Sequence, residues 1–152
     1  MVHSISRWLA VAVAVVAAAA PAAVAQDAGD IVRHAVAAMH RAVHNTQHDV
    51  AEATTRGVAA INHLDDNGAT DDELIAAARH ASRIVGAEAH QGARTVGLIA
   101  GRAVEALQDI GADRRFFVVV HDARDQSHEA IRQAAQRGHA ALAAALRDAL
   151  ND

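Results

Sequence analysis

Histidines recur at every fourth position in the stretch HRAVHNTQHDVAE. They are His40, His44 and His48, and Glu52 continues the same spacing. Residues four apart project from successive turns of a helix, so two neighbouring imidazoles could hold Zn²⁺, Cu²⁺ or Ni²⁺. A drift of about 40° per step keeps all four groups from reaching one ion. We therefore expect at most a two-ligand, low-affinity site and no required cofactor.

The spacing of the apolar residues predicts that this ladder faces water. A rotation of about 100° per residue along a helix gathers the apolar residues on one side. The histidines of the same segment fall on the opposite side: His34, His44, His48 and His63, with His40 at the border. A solvated polar face is therefore the simpler interpretation of the ladder, and metal capture is the alternative.

A second polar set depends on the register of the third helical segment. A strict heptad line from Phe117 would carry His121, Arg124 and His128 into the seam between helices, as a polar layer that fixes helix register. A line shifted to start at Phe116 is apolar and leaves both histidines outside. We expect the shifted line in the first half of this helix.

The residue patterns that carry enzyme chemistry are missing from the sequence. Di-iron bundles need Glu-x-x-His pairs on facing helices, and the chain contains no such pair and no cysteine nucleophile. Ser127 and His128 are neighbours in sequence, but adjacent residues of a helix point about 100° apart. We therefore expect a protein that is not an enzyme.

The first twenty-five residues have the layout of a secretory signal peptide. Arg7 precedes an apolar run, Pro21 follows it, and small residues at 23–25 suit cleavage before Gln26. The run is too short to span a bilayer comfortably. We expect a secreted or periplasmic mature chain, residues 26–152, that forms one domain and is not stably inserted in a membrane.

The charge of the mature chain argues against nucleic-acid binding. Removal of residues 1–25 leaves thirteen arginines against eighteen acids, a net charge near −5 with histidines neutral. The two signs are interspersed, and there is no basic stripe with stacking aromatics. The expected partner is a second copy of the chain or another protein.

Two interruptions divide the mature chain into three segments rich in helix formers. Asn67-Gly68 can end a helix, and Thr70 with Glu73 forms a capping box for the next one. In the same way, Gly111 can end the second helix and Asp113 can cap the start of the third.

These signals predict an all-α fold with helices near 29–65, 70–110 and 113–150. Matched lengths and short loops favour three long antiparallel helices in an up-down-up bundle, or an elongated coiled-coil-like hairpin array. FFVVV, residues 116–120, is assigned to the first turns of the third helix. The small-xxx-small spacing of Gly97 and Gly101 predicts tight helix packing.

We expect an exported, non-enzymatic structural or interaction module that self-associates, because alanine-rich seams bury little apolar area. One alternative is a low-affinity binder of divalent transition metals that uses the histidines of helix one. The second is a pH-responsive assembly, because histidine ordinarily titrates near pH 6.5 and ten histidines would remain after cleavage.

Overall fold

The computed structural model describes residues 22–151 and their side chains from residue 24 onward. This part of the chain contains three α-helices, α1 (Ala22–Asp66), α2 (Asp71–Asp109) and α3 (Arg114–Ala149), and no strand. Each helix packs against the other two. The prediction of an all-helical chain with three mutually packed helices is therefore confirmed.

Helix α1 extends further toward the N-terminus than predicted. It already includes Ala22, seven residues before the predicted start at residue 29, because the segment from Ala22 to Asp27 contains no helix breaker and is rich in alanine. Of the predicted signal peptide, residues 1–21 lie outside the described residues and 22–25 are helical. None of the helices described has a stretch long and apolar enough to cross a membrane.

Both inter-helix turns form at the predicted glycines. Gly68 has a φ of +68° and Gly111 a φ of +63°, values in the left-handed region that only glycine adopts without strain. Backbone bonds from Ala69 N to the Leu64 carbonyl and from Ala112 N to the Leu107 carbonyl close the two helix ends. The chain therefore reverses within four residues at each turn.

The predicted N-caps are present as well. The Glu73 carboxylate accepts from the Thr70 backbone N–H and from the Thr70 hydroxyl, both at 2.9 Å, and Asp113 accepts from Arg115 N at 3.0 Å. The backbone bond first, and the hydroxyl bond second, lower the pKa of Glu73. The hydrogen bonds to the ionised Glu73 carboxylate therefore stabilise the fold at pH values above the ordinary pKa of a glutamate. This stabilisation is lost as the pH falls through the lowered pKa of Glu73.

The core consists of two apolar clusters, one at each end of the bundle. The first joins the beginning of α1, the end of α2 and the beginning of α3, around Met39, Leu107 and Phe116. The second joins the end of α1, the beginning of α2 and the end of α3, around Ile61 and Leu142. Consecutive helices therefore run in opposite directions.

The first half of helix α3 adopts the shifted register, as predicted. Phe116, Val120 and Ser127 are buried, whereas Phe117 is half-buried and His121 is exposed. FFVVV lies in the first turns of α3, as predicted. The apolar side chains of the α3 start therefore meet the first core cluster, and the histidines stay at or near the surface.

Three buried glycines, one on each helix, allow the helices to approach closely. A Cβ at Gly92 would lie 2.1 Å from Thr46 Oγ1, and a Cβ at Gly57 would lie 2.5 Å from the Ala81 Cβ. A Cβ at Gly138 would lie 2.6 Å from Thr54 Oγ1. No larger residue fits at these positions without displacing a neighbouring helix.

The glycines chosen from the sequence for tight packing are different ones, and that prediction is wrong. Gly97 is half-buried, Gly101 is exposed, and a Cβ on either would meet nothing within 4 Å. Their strip is turned about 100° from the seam that contains Val96 and Ala100. The small-xxx-small spacing therefore lies beside the helix contact and not in it.

Replacement of Gly92 by alanine should destabilise the bundle by about 1–3 kcal/mol, because the new methyl group overlaps Thr46 of α1. Gly86→Ala is the matched control on the same helix, where a Cβ meets open space. This control should gain roughly 0.5–1 kcal/mol from helix propensity. Urea denaturation followed by far-UV circular dichroism compares the two, and equal effects would contradict the close-approach assignment.

Candidate functional site

The histidine ladder of α1 is exposed to solvent, as predicted. His40, His44 and His48 all lie in the exposed class, as does Glu52. Within the part of the chain that the structure describes, the three imidazoles form no hydrogen bond or ion pair, so their nitrogen lone pairs are open to an external ligand. The ladder is therefore a set of accessible imidazoles on successive turns of one helix.

The three imidazoles fan out around α1 and do not converge. On the helical wheel, His40 lies about 100° from the centre of the buried face, His44 about 140° and His48 about 180°. His44 and His48 therefore point most directly away from the bundle, and His40 lies nearer the boundary with the neighbouring helices. The pair His44–His48 is the most accessible two-ligand site of the ladder.

Glu52 is separated from the ladder by its own ion pair. Its carboxylate binds Arg56 Nη2 one turn further along α1. An exposed pair of this kind contributes little to stability, but it competes for the carboxylate. Among the residues described, no three His, Cys, Asp or Glu side chains are grouped so that they could hold one metal ion.

The three residues of the alternative polar layer are not brought together. His121 is exposed, and Arg124 donates from Nε and Nη2 to Asp125 Oδ1 at 2.9 and 2.8 Å. Only His128, which is half-buried, reaches another helix. The register that would place all three in the seam is not adopted, because Phe116 and Val120 fill the seam in their place.

His128 bridges α3 and α2. Its Nε2 lies 3.1 Å from the Ala93 carbonyl oxygen. Because a carbonyl oxygen only accepts, the imidazole must carry its proton on Nε2 to form this bond. The contact spans thirty-five residues of sequence and fixes the rotation of α3 against α2. Among the histidines that the structure describes, His128 is the one whose ring forms a hydrogen bond with another helix.

Two buried hydroxyls lie among the apolar side chains, and sequence reasoning missed the first of them as a core residue. Thr46 Oγ1 donates to the Ala42 carbonyl at 2.8 Å, and Ser127 Oγ donates to the Ala123 carbonyl at 2.7 Å. These bonds to the preceding turn satisfy the hydroxyls without a partner helix. Neither hydroxyl is therefore available as a nucleophile.

Two open grooves border α1, and the sequence analysis did not anticipate them. The groove against α3 has a volume of about 420 Å³ and includes Ala51, Thr55 and Gly138. The groove against α2 has a volume of about 360 Å³ and includes Gly57 and Ala60. Alanine and glycine at helical spacing are the signal that could have revealed them, because small side chains leave the space between two helix backbones unfilled.

The surface around α1 is the functional candidate that the geometry singles out. Comparison of the chain with protein-family models, with curated proteins and with solved structures found no match. Function is therefore inferred from the two grooves that border α1 and from the exposed imidazoles of the same helix.

Removal of the His128 ring should cost about 1 kcal/mol of unfolding free energy, because the bridge to Ala93 is lost. His121→Ala, on the same helix but exposed, is the matched control and should stay within roughly 0.5 kcal/mol of the parent protein. Urea unfolding at neutral pH measures both. If the His128→Ala variant is as stable as the control, the hydrogen bond between His128 and Ala93 does not stabilise the fold.

Proposed function

We propose that this chain is an exported helical module that works by contact with other molecules and not by catalysis. Export is supported by the signal-peptide layout of residues 1–25. The observation that carries the proposal is the pair of grooves along α1, with volumes of about 420 and 360 Å³. Both grooves open toward solvent beside the longest helix of the bundle.

The chemistry of the grooves suits a helix as the partner. The groove against α2 contains five small residues, Ala53, Gly57, Ala60, Ala77 and Ala81, and it is also lined by Ile84 and by the polar side chains of Asp49, Glu52, Arg56, His80 and Glu88. Side chains of a packing helix form ridges that insert between the residues of the opposing helix. Small residues let the ridges enter deeply, so a helix can bury apolar area there without any rearrangement of the bundle.

A second copy of the chain is the partner we propose. Of the nineteen buried apolar residues in the described part of the chain, seven are alanine, so the intramolecular core gains little from each buried side chain. Association through α1 would bury additional alanine surface. Since the same helix is present in every copy, a two-fold symmetric dimer needs no other component.

Self-association should weaken when the grooves are filled. Ala51→Trp fills the groove against α3 and Ala60→Trp fills the groove against α2, since both residues are exposed groove residues. Each should raise the dimer dissociation constant at least about tenfold, equivalent to roughly 1.4 kcal/mol. Sedimentation equilibrium over a wide concentration range measures the constant.

Ala59→Trp is the matched control for these variants. Ala59 is exposed on the same helix and lies outside both grooves. It should leave the dissociation constant unchanged, and the circular dichroism melt of each variant checks that the bundle is intact. A parent protein that remains monomeric at all concentrations would contradict the proposed partner.

Metal capture by α1 is the second candidate, and the exposure of His40, His44 and His48 supports it. Neutral imidazole binds Zn²⁺, Cu²⁺ and Ni²⁺, and two imidazoles one turn apart can chelate one ion. Two ligands on an exposed helix leave the rest of the coordination sphere to water, so the affinity should be low.

Removal of the His44–His48 pair should weaken metal binding at least about tenfold. The double variant His44→Ala, His48→Ala is titrated calorimetrically with ZnCl₂, CuCl₂ and NiCl₂. The control is His34→Ala with His63→Ala, which removes two exposed histidines from the same helix without breaking a pair of histidines four residues apart; of the two, His63 contacts Asn67 Nδ2 at 3.3 Å. Equal affinities in the two double variants would eliminate the ladder as the binding site.

A further inference from the structure

The His44–His48 pair is the part of α1 most open to a second molecule. Both imidazoles are exposed and point almost directly away from the two neighbouring helices. Ala51, one turn further along α1, and Thr55, two turns further, are also exposed and carry short side chains. The imidazoles are therefore accessible to a second molecule at this point of the surface.

One copy of the chain can offer only two nitrogen ligands at this point. His40 is turned about 40° from His44 and about 80° from His48, so it cannot reach an ion held by the other two. The Glu52 carboxylate is held by Arg56. A protein-bound Zn²⁺ ion takes four tetrahedral ligands, with Zn–N distances of about 2.0–2.1 Å. Half of this coordination sphere is left open by a single chain.

We propose that two copies of this chain share one Zn²⁺ ion, each contributing His44 and His48. This inference rests on the second candidate function, metal capture by α1. The four imidazole nitrogens complete a tetrahedral sphere, and the two-fold relation between copies makes both halves of the site identical. The ion couples metal binding to dimerisation through the outer face of α1.

The charges near the pair permit this approach. Arg41 precedes His44 by three residues, and Asp49 directly follows His48; both are exposed. Beyond them, Glu52 is neutralised by Arg56. Two such faces carry balanced charge within a turn of the pair, so they do not repel each other strongly, and the divalent ion supplies the attraction that the imidazoles alone lack.

The test is sedimentation velocity of the full-length mature protein with EDTA and then with increasing ZnCl₂, together with a calorimetric zinc titration. We expect zinc to lower the dimer dissociation constant at least about tenfold and to saturate at one ion per two chains.

The double variant His44→Ala, His48→Ala should lose the response to zinc, whereas His34→Ala with His63→Ala should keep it. Circular dichroism checks that all variants are folded. One zinc per chain with no change of mass would overturn the shared site and leave metal capture standing. No zinc binding at millimolar concentration would overturn both, and a zinc-induced dimer that survives in the His44, His48 variant would place the bridging ligands elsewhere.

Discussion

Close packing of side chains against the glycines of a facing helix is the constraint on which the rest of this structure depends. Gly92 meets Thr46, Gly138 meets Thr54, and Gly57 meets α2, each at a distance that excludes even a methyl group. Contacts this close fix the rotation of each helix about its own axis, because turning α1 would replace a hydrogen atom by a side chain. The apolar clusters at the two ends then fill the space that these contacts define.

The same contacts determine which side chains of α1 are exposed and where grooves lie beside this helix. Thr46 is packed against Gly92. His44 and His48 are each two residues from Thr46, so they lie nearly opposite it on the helix and face away from the bundle. The small residues that permit the contacts also leave the grooves along α1 unfilled. The accessible imidazoles and the open grooves are therefore both consequences of how α1 packs against its two neighbours.

Local features of this fold could be predicted from the sequence because they depend on a few neighbouring residues. The glycine turns, the Glu73 cap and the shifted register of α3 all follow from backbone conformations or side-chain spacing within one helix. The exposure of the α1 histidines followed in the same way, since one helix's apolar positions decide which side is buried. These features needed no knowledge of what lies opposite.

Features that depend on the facing helix could not be predicted. Gly97 and Gly92 lie about 140° apart around the helix axis, and only the position of α1 reveals that Gly92 is in contact with a neighbouring helix and Gly97 is open. His128 is polar and lies at the edge of the seam, and its bond to Ala93 depends on the depth at which α3 sits against α2. Every residue has a main-chain carbonyl group, so the pattern of side chains does not indicate which carbonyl accepts a hydrogen bond from His128.

The division between His128 and the α1 histidines shows how one residue type serves two purposes in this bundle. At the half-buried position, the ring has to find a hydrogen-bond acceptor within the chain, because an unsatisfied polar group away from water is costly. At the exposed positions of α1, water satisfies the ring, and no intramolecular partner is required. A partner from outside has only to displace water there, whereas at His128 it would also have to break the bridge to α2. His128 is therefore committed to the contact between α3 and α2, whereas His40, His44 and His48 of α1 remain accessible from outside.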